Sequence, residues 1–194
     1  LKDFRVPLHG IADDIIQLLT GETGISQSRI SFTAKSFGST ELYVMDYDGV
    51  NLEKLTDDKS LVMAPAWTKN SSGIAFTSYK KNNPDLVMVD LTSGRHFPLV
   101  SKGALYISPA WSPDGKRLAF VSTRSGNAEI YLLNTETAKI RRLTFHRAIE
   151  SAPAWSPTGR ELVFTSDRLG KPQIYVMDAE GSNIRHLRTR QAYS

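Results

Sequence analysis

Pro-Ala-Trp occurs three times, at 65–67, 109–111 and 153–155, and the copies stand 44 residues apart. The same interval separates Phe32, Phe76, Phe120 and Phe164, and also Asp46, Asp90, Asn134 and Asp178. Leu55, Leu99, Leu143 and Leu187 keep the register, as do Tyr43, Val87, Tyr131 and Tyr175. No insertion or deletion interrupts the ladder. A fixed period of this length means that one supersecondary unit is repeated and stacked on its neighbours.

The interior of a unit identifies it. In residues 108–144, Ser108 to Trp111 reads as a short strand, and Ser112-Pro113-Asp114-Gly115 as a turn. In such a turn Pro presets φ and Gly accepts a positive φ. Residues 117–122 form a second, apolar strand, Ser125-Gly126-Asn127 turns the chain, and 129–134 form a third strand. Residues 139–144 form a fourth strand rich in Lys and Arg, a composition that discourages pairing at an outer edge. Four strands in about 44 residues make one β-propeller blade. Strands two and three are apolar on both faces because a blade is covered on both sides. No helical period lies between the strands, which excludes βαβ units.

The fold class is therefore all-β: a propeller of four-stranded blades preceded by one helix. Complete units lie at about 60–100, 104–144 and 148–188. The unit at 29–56 has three strands, at 29–35, 41–46 and 51–56, and no Pro-Ala-Trp strand ahead of it. About fifteen strands do not close a ring, since propellers typically have 4–8 blades. The expectation is a partial ring, with residues 29–194 propeller and residues 1–28 the helix and linker of an upstream domain. Open blade faces, with Leu162-Val163-Phe164 on one of them, imply an apolar patch through which such a fragment self-associates. Ile11, Ile15, Leu18 and Leu19 give the helix an apolar face. Asp13 and Asp14 suit its first turn, and Thr20-Gly21 its end. Leu1 in place of Met points to a trimmed or processed chain.

Composition narrows the function. No apolar run reaches the 18 residues of a membrane-spanning helix, so attachment to a membrane is peripheral at most. The absence of Cys removes disulfides, thiolate metal sites and a Cys nucleophile. A net charge of +4 is too weak to argue for nucleic acid. The basic residues Lys139, Arg141, Arg142, Arg147, Arg185, Arg188 and Arg190 lack the interleaved aromatics that stack bases, so they read as charged outer strands. No catalytic site is expected, because the G-x-S-x-G, Walker, dinucleotide and H-E-x-x-H patterns are missing. No metal and no cofactor are expected. His9, His96, His146 and His186 lack ligand spacing, and Asp46-Tyr47-Asp48-Gly49 reads as a hairpin turn rather than a calcium loop. Asn70-Ser71-Ser72 matches a glycosylation sequon but occupies a turn column. Trp67, Trp111 and Trp155 each fill the same place in a blade, which reads as core packing.

The loop entering each Pro-Ala-Trp strand varies while the strand does not. These loops end in Leu61-Val62-Met63-Ala64, Leu105-Tyr106-Ile107-Ser108 and Ile149-Glu150-Ser151-Ala152. Variable loops on a rigid scaffold are where binding resides, and loops rich in Met, Tyr and Ile suit a protein partner.

Ser108-Pro-Ala-Trp-Ser-Pro-Asp-Gly-Lys-Arg-Leu-Ala-Phe120 and its copies at 152–164 and 64–76 resemble the propeller repeat of the TolB family. So does Thr165-Ser166-Asp167-Arg168 through Tyr175-Val176-Met177-Asp178. His9-Gly10-Ile11-Ala12-Asp13-Asp14-Ile15, Leu19 to Gly24 and Arg29-Ile30-Ser31-Phe32 are similar to that family's passage from its first domain into the propeller. The resemblance implies an α/β domain before a six-bladed propeller and a non-enzymatic periplasmic protein of the Tol-Pal system. It further implies binding of the peptidoglycan-associated lipoprotein Pal, contact with other Tol proteins, and work in protein transport, envelope integrity and cell division. Pal then docks at the channel mouth, at positions matching Leu105, Tyr106, Ile107, Ser108, Ile149, Glu150, Ser151 and Ala152. Position carries over here, not residue type. A second reading makes the chain the gating propeller of a serine peptidase of the prolyl oligopeptidase kind. A hydrolase domain with G-x-S-x-G after the propeller would decide for it.

Overall fold

The computed structural model describes residues 2–36, 38–81, 83–101 and 103–188. Among the described residues one helix, α1 (Lys2–Thr20), precedes fifteen strands in four antiparallel sheets. Blade one is the three-stranded sheet β1 (Arg29–Ser36), β2 (Ser39–Asp46) and β3 (Glu53–Lys54). Blade two is β4 (Val62–Trp67), β5 (Gly73–Lys81), β6 (Asn83–Asp90) and β7 (His96–Val100). Blade three is β8 (Tyr106–Trp111), β9 (Arg117–Ser122), β10 (Glu129–Asn134) and β11 (Ile140–Arg142). Blade four is β12 (Glu150–Trp155), β13 (Glu161–Ser166), β14 (Gln173–Asp178) and β15 (Arg185–His186). Each blade runs in sequence order from inside to outside, and β8 packs beside both β4 and β12, so the Pro-Ala-Trp strands are the innermost ones. Among the described residues the sheets do not close into a ring.

The inner strands are sheet edges, and their sequence blunts them. The residue before each Pro takes a positive φ: Ala64 at 52°, Ser108 at 55° and Ala152 at 48°. Pairing with the next strand shifts register there, between Met63 and Ala66, Ile107 and Ala110, and Ser151 and Ala154. A bulge and a Pro at the same place remove ladder donors and discourage foreign strands.

Burial follows the blade stack. Leu118 and Phe120 on one face of β9 pack with Leu86, Val100 and Tyr106, while Ala119 and Val121 on the other face pack with Leu162 and Phe164. The aromatic column forms cross-strand stacks, Phe120 on Tyr131 with centroids 5.9 Å apart and Phe164 on Tyr175 at 5.9 Å. The tryptophans lie at the margins of these clusters, half-buried rather than enclosed. They also link blades. Arg117 of blade three stacks 4.6 Å over the Trp155 ring of blade four and donates to Gly159 O. Arg29 of blade one stacks 5.2 Å over Trp67 and donates to Ser71 O. The intervening column member is Gly73, where a Cβ would meet Val89 O at 2.8 Å, so Trp111 has no such cover.

Two further expectations change. The helix starts at Lys2 and runs through Pro7, so Asp13 and Asp14 are not in its first turn. Asp13 instead accepts the backbone N–H groups of Ser26 and Gln27. The apolar face of the helix, Ile11, Ile15, Leu18 and Leu19, is exposed. The helix is held by polar contacts, with Arg5 bonded to Asp46 and Asp48. Finally, Leu162 and Phe164 are buried against blade three, and of Leu162-Val163-Phe164 only Val163 faces away, half-buried. The helix does stop at Thr20, with Gly21 at φ 76°. Asp46-Tyr47-Asp48-Gly49 closes the β2–β3 hairpin, with Gly49 N–H donating to Asp46 O. Arg190 lies outside the described residues.

Phe120 is fully buried, so Phe120→Ala should cost about 3–5 kcal/mol in equilibrium denaturation. A loss below about 1 kcal/mol would contradict the two-sided packing of β9.

Candidate partner-binding rim

The strand order fixes which loops share a rim. Each inner strand begins where the preceding blade's outermost strand ends, so loops 57–61, 103–105 and 145–149 lie on one side of the blade stack. The turns between strands two and three of each blade lie on the same side. The turns after the tryptophans lie on the opposite side.

Two buried carboxylates hold this rim in shape. Glu41, at 0% exposure, accepts Thr56 Oγ1 at 2.6 Å and the backbone N–H groups of Asp58 and Lys59 at 3.1 and 3.0 Å. Burial opposes its charge, but these bonds outweigh burial and hold its carboxyl below the ordinary value. Glu129, also buried, accepts Thr144 Oγ1, His146 N–H at 2.9 Å and Arg142 at 2.6 Å. In both blades the threonine hydroxyl accepts a backbone N–H of the third strand, from Leu42 and from Ile130, each at 2.9 Å. Asn127 adds two bonds to the 145–149 loop, donating to His146 O and Ala148 O. Loops 57–61 and 145–149 are thus pinned by the blades they leave, and Asp167 of blade four accepts the Ile149 N–H at 2.8 Å. Sequence reasoning passed over these glutamates. Their signal was the shared 88-residue spacing of Glu41 with Glu129 and of Thr56 with Thr144.

The eight residues expected to bind a partner divide by exposure. Leu105 and Ile149 precede β8 and β12, and the other six lie within those strands. Ile149 is 55% exposed and Ala152 is exposed, while Leu105, Ile107, Ser108 and Ser151 are half-buried. Tyr106 and Glu150 are buried and offer no contact surface. Tyr106 fills the core beside Phe120, centroids 6.1 Å apart. The structure adds Leu61, Met63 and Phe145 to the exposed apolar rim. Phe145 lies under the Arg142 guanidinium, 4.6 Å from its ring centroid.

Glu150 replaces Val62 and Tyr106 in its column, putting a carboxylate where the other blades are apolar. Oε1 accepts Arg168 at 2.9 Å and Ser166 at 3.1 Å, while Oε2 is buried without a partner among the described residues. Burial pushes the Glu150 carboxyl above its ordinary value, Arg168 offsets part of this, and the neighbouring Glu129 charge adds to it. Among the described residues no group of three or more His, Asp or Glu side chains suits a metal ion.

Rigid blades with pinned, exposed apolar loops on one rim define a scaffold-type β-propeller. The family model for the TolB beta propeller domain matches residues 16–194. The chain belongs to the TolB β-propeller family. The Tol-Pal system protein TolB of Geobacter sulfurreducens is 43% identical over 69 residues, covering 36% of this chain and 16% of that protein. The crystal structure of TolB from Acinetobacter baumannii aligns with a TM-score of 0.85 at 30% identity, covering 94% of this chain and 47% of that one. The chain thus spans about half the length of that relative. A puromycin-hydrolyzing peptidase of Mycobacterium tuberculosis aligns with a TM-score of 0.66 at 16% identity, over 85% of this chain and 27% of that one, a likeness of fold alone.

A carboxyl raised in the fold binds its proton more readily there than in the unfolded chain. Its contribution is therefore most favourable at acid pH and is lost as pH rises through the raised value. Glu150→Gln should flatten the fall in melting temperature between acid and neutral pH. Parallel profiles for wild type and variant would refute an ionising, desolvated Glu150.

Proposed function

We propose that this chain is the binding propeller of a non-enzymatic, periplasmic Tol-Pal protein, and that its partner docks on the rim of loops 57–61, 103–105 and 145–149. Family membership supports the system. The observation that carries the site is the pinned 145–149 loop, which presents Ile149 and Phe145 to solvent on backbone held by Glu129 and Asn127. A preorganised apolar patch needs little ordering on binding, which favours a protein partner. The partner that the family suggests is the peptidoglycan-associated lipoprotein, with roles in envelope integrity and cell division. Leu105, Ile107, Ser108, Ile149, Ser151 and Ala152 then make contact, while Tyr106 and Glu150 support them from within. The gating-propeller alternative rests on fold likeness at low identity and has no specific observation in its favour.

In the full-length protein, Ile149→Asp should weaken binding of the lipoprotein at least tenfold, about 1.4 kcal/mol, with an unchanged melting temperature. Arg185→Ala, on the exposed outer strand β15, should leave affinity unchanged. Loss with Arg185→Ala but not with Ile149→Asp would move the site to the side of the propeller.

A further inference from the structure

Blade two departs from its neighbours at one place, and the departure leaves a hollow. In blades three and four the third strand carries Tyr131 and Tyr175, each ring stacked on the phenylalanine opposite. Each ring is also covered by a guanidinium, Arg124 at 5.7 Å and Arg168 at 4.6 Å. In blade two the tyrosine column holds Val87, opposite Phe76, and the arginine column holds Lys80. The phenylalanine and the cation remain, but no tyrosine stacks between them, and only the edge of the His96 ring reaches Phe76, centroids 6.0 Å apart. A cavity of about 220 Å³ opens there, with Val87, Phe97 and Pro98 as apolar wall and Lys80, His96 and Asp58 as polar lining. It is smaller than the roughly 300–1,000 Å³ of sites for drug-sized ligands and fits one ring.

The polar groups are set for a hydroxyl. Asp58 is nearly buried and already accepts Ser78 at 2.7 Å and Lys80 at 2.8 Å. Asp85 also lines the cavity, and its carboxylate has no partner among the described residues. In blades one and three this column is a glutamate that reaches a threonine; here the acid is shorter and Val100 stands in the threonine column. A phenol entering the hollow would lie on apolar wall, carry a cation near its face, and find a free carboxylate for its O–H.

We infer that blade two is a ring-accepting site for a phenol, in the hollow left beside Val87 where blades three and four carry a tyrosine ring of their own. The ligand class is a hydroxylated six-membered aromatic ring, carried by a tyrosine side chain of another chain or by a free small aromatic.

The test is a titration of the full-length protein with p-cresol, followed by methyl and aromatic NMR shifts. Shifts should concentrate at Val87, His96 and Phe97, and toluene and cyclohexanol should bind at least threefold more weakly. Val87→Tyr restores the repeat residue. It should abolish p-cresol binding, at least tenfold, without lowering the melting temperature. Should that variant fail to fold, Val87→Leu must still weaken p-cresol severalfold. N-acetyl-tyrosinamide binding better than free tyrosine assigns the site to a tyrosine within a chain; the reverse order assigns it to a free aromatic. Shifts scattered over the surface, equal affinity for cyclohexanol, or unchanged p-cresol affinity in the folded Val87 variant would overturn the inference.

Discussion

Leu118 and Phe120 leave β9 on one side and Ala119 and Val121 on the other, and all four are shut off from solvent by different blades. A sheet apolar on both faces cannot stand alone in water, so each blade needs the next one, and stability is shared between neighbours rather than owned by a unit. The aromatic stacks, the Arg117–Trp155 and Arg29–Trp67 links and the bulged inner edges all serve that stacking. Burial in β13 shows the dependence: Leu162 and Phe164 on the side facing blade three are buried, and Val163 and Thr165 on the other side are only half-buried.

Rigid stacking leaves the loops free to vary, and the rim loops use that freedom in a restricted way. Glu41 and Glu129 draw the turn backbone toward the third strand, so loop composition can change while loop position does not. A buried carboxylate is stable there because it accepts three or more hydrogen bonds, which compensate its desolvation. Glu150 lacks that full complement, and the same burial acts on it with the opposite outcome.

Much of this was legible in the sequence, because the repeat is a statement about geometry. Identical spacing at Pro-Ala-Trp, Phe and Leu gives the strand order, the turn at Asp114-Gly115 and the incomplete first blade. What the repeat does not say is which way a residue faces when its column changes type. Tyr106 and Glu150 stand in the column of Val62, and that column is core, so a tyrosine and a glutamate there turn inward despite their polarity. Glu129 sits at the head of an apolar strand, where charge alone suggests a solvated end; its partners come from the end of the outer strand and the loop after it, thirteen to seventeen residues on. The helix was only half legible because Pro7, which lacks an N–H, interrupts the usual helix pattern although it removes only one backbone bond. The hollow at Val87 was visible as a broken column, but only the stacked rings beside it show what a tyrosine there would fill.

The proposal that one rim binds the partner is tested most directly by hydrogen exchange on the full-length protein, with and without the lipoprotein. The account predicts slowed exchange in 103–105 and 145–149 and no change in the opposite turns around Gly115 and Gly159. Protection confined to those opposite turns, with loops 103–105 and 145–149 unaffected, would contradict it.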